Sequence, residues 1–314
     1  MSSDSAPQAN PASNRTQGNV LITGASGLIG SALSAELRTG GYHVYALDRH
    51  DASAPFHYDQ KTRHLHLDPD IPLTAVVNLA GANLADGRWT KARKQTILSS
   101  RTHTTADLCA ALATLPSPPR TLLSASAMGY YGDTGENQVD ETSPAGNDFL
   151  AEVARQWEAA TRAARDVGIR TVHMRFGLVL SADGGVLPNF ILPLRLAAVG
   201  TVGSGQQYLS WISLPDALQV VMRLLEDDSL SGAFNLVSGN PVTNRDFTRT
   251  LAQVLRRPRL PPLPAPVVRL MFGEMGDAAL LGSNRVVSSR LPDAGINLAH
   301  PALADALREI LDSH

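Results

Sequence analysis

The sequence predicts an α/β fold: a doubly wound parallel sheet with a smaller C-terminal substrate lobe. Three observations carry that expectation. Short β-rich runs alternate with helical patterns as far as Leu180. The first run meets its helix through three regularly spaced glycines. After Leu180 the rhythm changes to Gly- and Pro-rich stretches with scattered helix. Strands that alternate with helices imply parallel pairing through crossover connections.

"NVLITG" (19–24) reads as the first strand, ending in glycine. "LIGSALSAELRTGG" sets Ile29, Leu33 and Leu37 on one helical face and stops at a glycine pair. "HVYALD" (43–48), "TAVVNLAG" (74–81) and "RTLLSASA" (120–127) are further strands, with "TTADLCAALATL" as a helix between the last two. Leu150, Val153, Trp157, Ala160 and Ala164 mark a helix over 148–165. "IRTVHMRFGLVL" (169–180) is the next strand. Beyond it, "LPDALQVVMRLLEDD" is helical, "GAFNLVSG" returns to strand, and "RRPRLPPLPAPVV" (256–268) is a stiff connector leading to a helix. The expected organisation is a dinucleotide-binding domain over 19–180, then 181–314 as mainly substrate lobe, with some elements returning to the core.

Composition bounds the partners. The chain has 314 residues and a formal net charge of −2, which gives no basis for binding nucleic acid or an anionic membrane. No stretch approaches the ~20 apolar residues needed to span a bilayer. Residues 1–18 are polar and lack the apolar run of a signal peptide, so a disordered tail is expected. The single cysteine, Cys109, rules out an internal disulfide and fits a reducing compartment. A cytoplasmic protein with a small-molecule substrate is the expectation. His64 and His66 share one strand face, but no third ligand clusters with them in sequence, and no metal site is predicted.

The strongest motif is "VLITGASGLIGSAL". Gly24 permits the tight turn, Gly27 lets the backbone approach a pyrophosphate, and Gly30 lets helix and strand pack closely. The helix start, with Ser26, Leu28 and Ile29 around those glycines, offers free N–H groups and positive partial charge to phosphate. The second strand ends in Asp48 and Arg49. An acidic residue there grips the ribose hydroxyls of NAD, whereas an arginine accommodates the 2′-phosphate of NADP. The two stand side by side, so the residues themselves leave NAD and NADP both open.

With the loop, "VVNLAG" and "SASAMGYYG" in order, the chain resembles an extended short-chain dehydrogenase/reductase. More narrowly, "NLAGANLADGRWTKARKQTILSSR", "GYYGD", "FGLVLSADGG" and "FNLVSGNPV" resemble the atypical branch called epimerase-family proteins, similar to sugar-nucleotide epimerases. The resemblance implies that Leu79, Ala80 and Gly81 line the nucleotide, that Arg101 replaces a helix asparagine, and that Leu180 flanks the nicotinamide end. Ordinary members use a Tyr-x-x-x-Lys pair. None of the six tyrosines here has lysine four residues on. The resemblance puts Leu150 and Ala154 where the pair would stand. Ser126, Tyr130 and Tyr131 are the remaining candidates for catalysis. The branch usually carries an arginine at the Arg49 position, so the resemblance implies NADP, with NAD the alternative, and an oxidoreductase or epimerase-like enzyme on a nucleotide-linked or polar metabolite. In such an enzyme Ser126 orients an oxygen, Tyr131 or Tyr130 passes a proton, and Arg101 supplies positive charge. The rival expectation is a non-catalytic, NADP(H)-sensing binding protein, since relatives of this branch are linked to cell division.

Overall fold

The computed structural model describes residues 17–195, 200–258 and 261–312. Most of the 1–18 tail, and two residues of the Pro-rich connector, lie outside the described residues. The first half contains strands β1 (Gly18–Thr23), β2 (Tyr42–Ala46), β3 (Phe56–Asp59), β4 (His64–Leu67), β5 (Ala75–Asn78), β6 (Thr121–Ala127) and β7 (Arg170–Phe176). Its helices are α1 (Leu28–Thr39), α2 (Lys91–Thr114), α3 (Phe149–Ala159) and α4 (Arg162–Asp166). The second half adds β8 (Leu178–Leu180), β9 (Tyr208–Leu209), β10 (Trp211–Ser213), β11 (Gly232–Leu236) and β12 (Val242–Thr243). With them come α5 (Leu187–Arg195), α6 (Leu214–Glu226), α7 (Asn244–Val254), α8 (Ala265–Phe272), α9 (Arg290–Asp293) and α10 (Leu303–Asp312).

Six strands form the central sheet in the order β11-β7-β6-β5-β1-β2, and every neighbouring pair is parallel. The period-2 alternation of a strand divides the core into two layers. Val20, Ile22, Val77 and Leu123 pack with α1 and α6 on one face. Leu21, Val76 and Leu122 pack with Leu108, Cys109 and Leu112 of α2 on the other. Each fully buried leucine of this kind contributes about 1.5–3 kcal/mol. The chain runs from β1 to β2 on one side and then to β5 on the other, so the sheet order reverses at β1. Ligands of open α/β sheets bind at such a reversal, beyond the carboxyl ends of the strands.

The run 169–180 is not one strand. It breaks at Gly177, where an added Cβ would lie 2.8 Å from the Ser210 carbonyl oxygen. The chain there leaves the central sheet, and β8 pairs with β10 in a separate two-stranded sheet. A second core follows, built from Leu180, Leu187, Trp211, Phe247, Leu251 and Leu307. β11 then returns to the central sheet beside β7. The helix over 148–165 is likewise two helices, parted at Ala160–Thr161, where Thr161 turns its hydroxyl to the Glu158 carbonyl.

Candidate functional site

The site grows from the junction of β1, β5 and α1. Gly24 has a φ of +69° and packs against the end of β5: a Cβ there would sit 2.9 Å from the Leu79 oxygen. Gly30 is tighter still, with a Cβ meeting the Gly24 oxygen at 2.2 Å. Both glycines are therefore demanded by the protein's own packing. Gly27 differs. Among the described residues its one close contact would be the Gly24 oxygen at 3.3 Å, and it is exposed, as is Ser26. Gly27 is also the residue that opens α1, and among the described residues no side chain caps that helix. The N–H groups of Leu28 and Ile29, which begin the first turn, have no hydrogen-bond partner among the described residues. That is the condition for binding a phosphate.

The far wall is held by a buried polar relay. Thr23 Oγ1 donates to Asn78 Oδ1 at 2.7 Å and accepts from the Leu79 and Ala80 N–H groups at 3.1 Å. Asn78 Nδ2 in turn donates to Thr105 and Ser124. Sequence reasoning passed over Thr23 and Asn78. A polar residue inside the apolar run "AVVNLAG" was the available signal.

At the end of β2, Asp48 accepts from the His50 and Asp51 N–H groups, which hold its carboxyl below the usual carboxylate range. Both bonds go to Oδ1 and tie that oxygen to the loop after β2. The guanidinium of Arg49 is exposed and has no hydrogen bond or ion pair among the described residues. On the opposite side Arg101 of α2 stands against Gly81, whose added Cβ would lie 3.1 Å from the guanidinium carbon. Arg101 packs over the Trp157 ring at 5.1 Å and donates to the Ile97 carbonyl.

The hydroxyl candidates divide. Ser126 is buried and donates to Glu158 Oε1 at 2.7 Å. Glu158 is clamped by Arg175 through Nε–Oε1 at 2.7 Å and Nη2–Oε2 at 2.9 Å. Burial opposes its charge, but Arg175 outweighs burial and holds the carboxyl below its ordinary range. Arg175 Nη1 donates to the Tyr131 hydroxyl at 2.9 Å, and that hydroxyl donates to Asn235 Oδ1 at 2.8 Å. Tyr131 is 5% exposed, and burial pushes its pKa up to about 12. Tyr130 is half-buried. Its ring lies 3.5 Å from the Arg175 guanidinium carbon, and its hydroxyl has no partner among the described residues. Leu180 is fully buried in the lobe's core. His57 lies directly opposite His66 on the β3–β4 hairpin and so joins His64 and His66 on one face. No group of three such residues among those described is placed to hold a metal ion. Glu141 accepts from the Asn235 N–H, from both the N–H and the hydroxyl of Ser289, and from the Ser288 hydroxyl, joining the C-terminal segment to β11.

With this loop, relay and sheet order in view, comparison with known proteins is decisive. The NAD dependent epimerase/dehydratase family matches residues 20–236. The chain belongs to that family. A domain of unknown function, DUF1731, matches residues 263–310. The epimerase family protein MT2273 of Mycobacterium tuberculosis is 40% identical over 291 residues, covering 92% of this chain and 96% of that one. The human epimerase family protein SDR39U1 is 33% identical over 296 residues, covering 93% and 99%. A crystal structure of the human protein with NADPH superposes with a TM-score of 0.86 at 32% identity, covering 94% of this chain and all of that one. A UDP-galactose 4-epimerase, 20% identical with a TM-score of 0.68, shares the fold. In this epimerase-family chain the buried pair Glu158–Arg175 is the largest feature that sequence reasoning missed. Its signal was an arginine within the strand "TVHMRF".

Proposed function

We propose that this protein binds NADP(H) and is an oxidoreductase or epimerase-like enzyme acting on a carbinol or carbonyl carbon of a small, nucleotide-linked substrate. The observation that carries the reading is the pairing of an uncapped α1 N-terminus at Gly27 with the unpartnered guanidinium of Arg49. One receives a pyrophosphate and the other a 2′-phosphate. The NADPH seen with the human relative supports it. Gly24, Ser26, Gly27, Leu28, Ile29 and Gly30 would hold the phosphates. Asp48 would shape the adenosine loop. Leu79, Ala80 and Gly81 would line the wall, with Arg101 behind them. When bound, the cofactor supplies a hydride donor or acceptor. The chain's own part is to orient the substrate oxygen and move its proton. Tyr130 is the hydroxyl free to do so, whereas Tyr131 and Ser126 are engaged in the network that fixes Arg175 beneath it.

Fluorescence titration with NADPH and NADH tests the binding, and tighter binding of NADPH is expected. Equal affinity would return the choice to Asp48. A screen of nucleotide-linked carbonyl and carbinol compounds for NADPH oxidation or NADP+ reduction tests the activity. Tight cofactor binding with no turnover across that screen would favour a second reading, a cofactor-sensing binding protein. One observation speaks for it. Leu150 packs against Gly129, and Ala154 is buried, so α3 offers an apolar face at its Leu150 and Ala154 positions.

A further inference from the structure

Resting on the cofactor reading above, we propose that Arg101 makes this site a selector of redox state. Its guanidinium, balanced by no carboxylate among the described residues, favours NADPH, whose nicotinamide is neutral, over NADP+, whose nicotinamide is cationic.

The first step is position. The phosphate loop follows β1, and Arg49 follows β2. An adenosine directed toward Arg49 sends the other half of a dinucleotide across β1 toward β5 and β6. Neighbouring strands are about 4.8 Å apart, so that half arrives over Gly81, just beyond the end of β5. The backbone there is fixed from both sides: the Ala80 N–H donates to Thr23 Oγ1 and the Ala82 N–H to Ser100 Oγ. Gly81 is exposed, and Arg101 lies directly behind it, at 3.1–3.3 Å from an added Cβ.

The second step is charge. Arg101 has no ion pair among the described residues, and its one hydrogen bond goes to a backbone carbonyl. Its other support is the face of Trp157, which Thr105 pins through the indole N–H at 3.0 Å. Glu158, the next residue along α3, spends both carboxylate oxygens on Arg175. The other charge bearing on Arg101 is Arg93, of the same sign. Burial and Arg93 bring its pKa down to about 10, so it stays charged at neutral pH.

Two like charges within one partly desolvated site repel strongly enough to outweigh screening by water, and about a ten-fold difference in affinity is expected. Ten-fold tighter binding of the reduced form raises the potential of the bound couple by about 30 mV.

Calorimetric titration of the full chain with NADPH and with NADP+ tests this on wild type, Arg101→Met and Arg101→Lys. The expected result is roughly ten-fold tighter binding of NADPH by wild type, a ratio retained by Arg101→Lys and reduced below about two-fold in Arg101→Met. Arg101→Gln replaces Arg101→Met if the latter does not fold, as judged by circular dichroism. Equal affinities in wild type would overturn the proposal. So would a neutral variant that weakens both forms by the same factor, because a purely structural arginine does that. A wild type that binds neither dinucleotide would instead remove the cofactor reading on which the proposal rests.

Discussion

Arg175 grips Glu158 with two parallel hydrogen bonds, 2.7 and 2.9 Å long, inside the protein. The guanidinium side chain is 5% exposed and the carboxylate side chain 12%. Removing one partner strands the other charge away from water. Glu158→Leu or Arg175→Met alone should therefore cost about 3–5 kcal/mol. The double variant should lose clearly less than the two singles added together. Urea unfolding of the four proteins measures this. Additive losses would mean that the two side chains act independently.

The same cluster sets an acid limit. His173 Nε2 sits 2.9 Å from Thr161 Oγ1, which gives its own proton to the Glu158 carbonyl, so His173 donates from Nε2. Burial lowers the His173 pKa below its ordinary 6.5, although Glu158 works the other way. Unfolded chains then bind a proton that folded chains refuse, and stability falls as pH drops from 6.5 toward the lowered folded value. Glu158, also lowered, adds a second loss at more acid pH, below its ordinary 4.5. Urea midpoints should be flat from pH 8 to about 7 and decline below that. In His173→Asn the decline near pH 6 should flatten while the more acid loss remains.

The glycines of the phosphate loop should separate folding from binding. An alanine Cβ at position 30 meets the Gly24 oxygen at 2.2 Å, a backbone atom that cannot step aside. Gly30→Ala should destabilise the protein strongly. At position 27 the one close atom among the described residues is 3.3 Å away, so Gly27→Val should fold. Its side chain fills the space a pyrophosphate needs, and NADPH binding should disappear. Circular dichroism with a fluorescence titration reads both. Cofactor binding by folded Gly27→Val would show that the loop is only a turn.

The sheet was legible because strands buried on both faces read as continuous apolar runs, and "VLI" and "AVV" do, while "TLLSASA" mixes apolar with small polar residues. The phosphate loop was legible because glycine spacing is local. Helix α2 was half legible. Its C-terminal half carries Leu108, Cys109 and Leu112 into the core, but from Lys91 to His103 only Ile97 is buried, so no apolar stripe announces the start. Thr90, whose side chain accepts from the Arg93 N–H, marks that start instead. The Ser126–Glu158–Arg175–Tyr131–Asn235 network was not legible, because its members come from β6, α3, β7, β11 and the 3₁₀ turn Met128–Tyr131. Only the sheet order brings them together. Sequence reasoning could name Ser126 and Tyr131 as hydroxyls near a strand end, but not the partners that occupy them.

The adjacent tyrosines should behave oppositely. Tyr131→Phe removes the acceptor of Arg175 Nη1 and the donor to Asn235 Oδ1, both buried. Leaving buried polar groups unpaired costs about 1–3 kcal/mol, so this variant should lose stability. Tyr130→Phe keeps the ring that the Arg175 guanidinium faces at 3.5 Å and removes only a hydroxyl without a partner among the described residues. Its stability should stay within about 0.5 kcal/mol of wild type, the range of changes that break no buried contact. If Tyr130 moves the substrate proton, the same variant should lower turnover about 10²–10⁴-fold with NADPH affinity unchanged, once a substrate is in hand. The order of the two measurements matters, because a rate loss in Tyr131→Phe accompanied by a stability loss says only that the network beneath Tyr130 has loosened. A fully active Tyr130→Phe, beside a stable Tyr131→Phe that has lost turnover, would return the proton relay to Tyr131. Its pKa of about 12 would then have to fall on substrate binding.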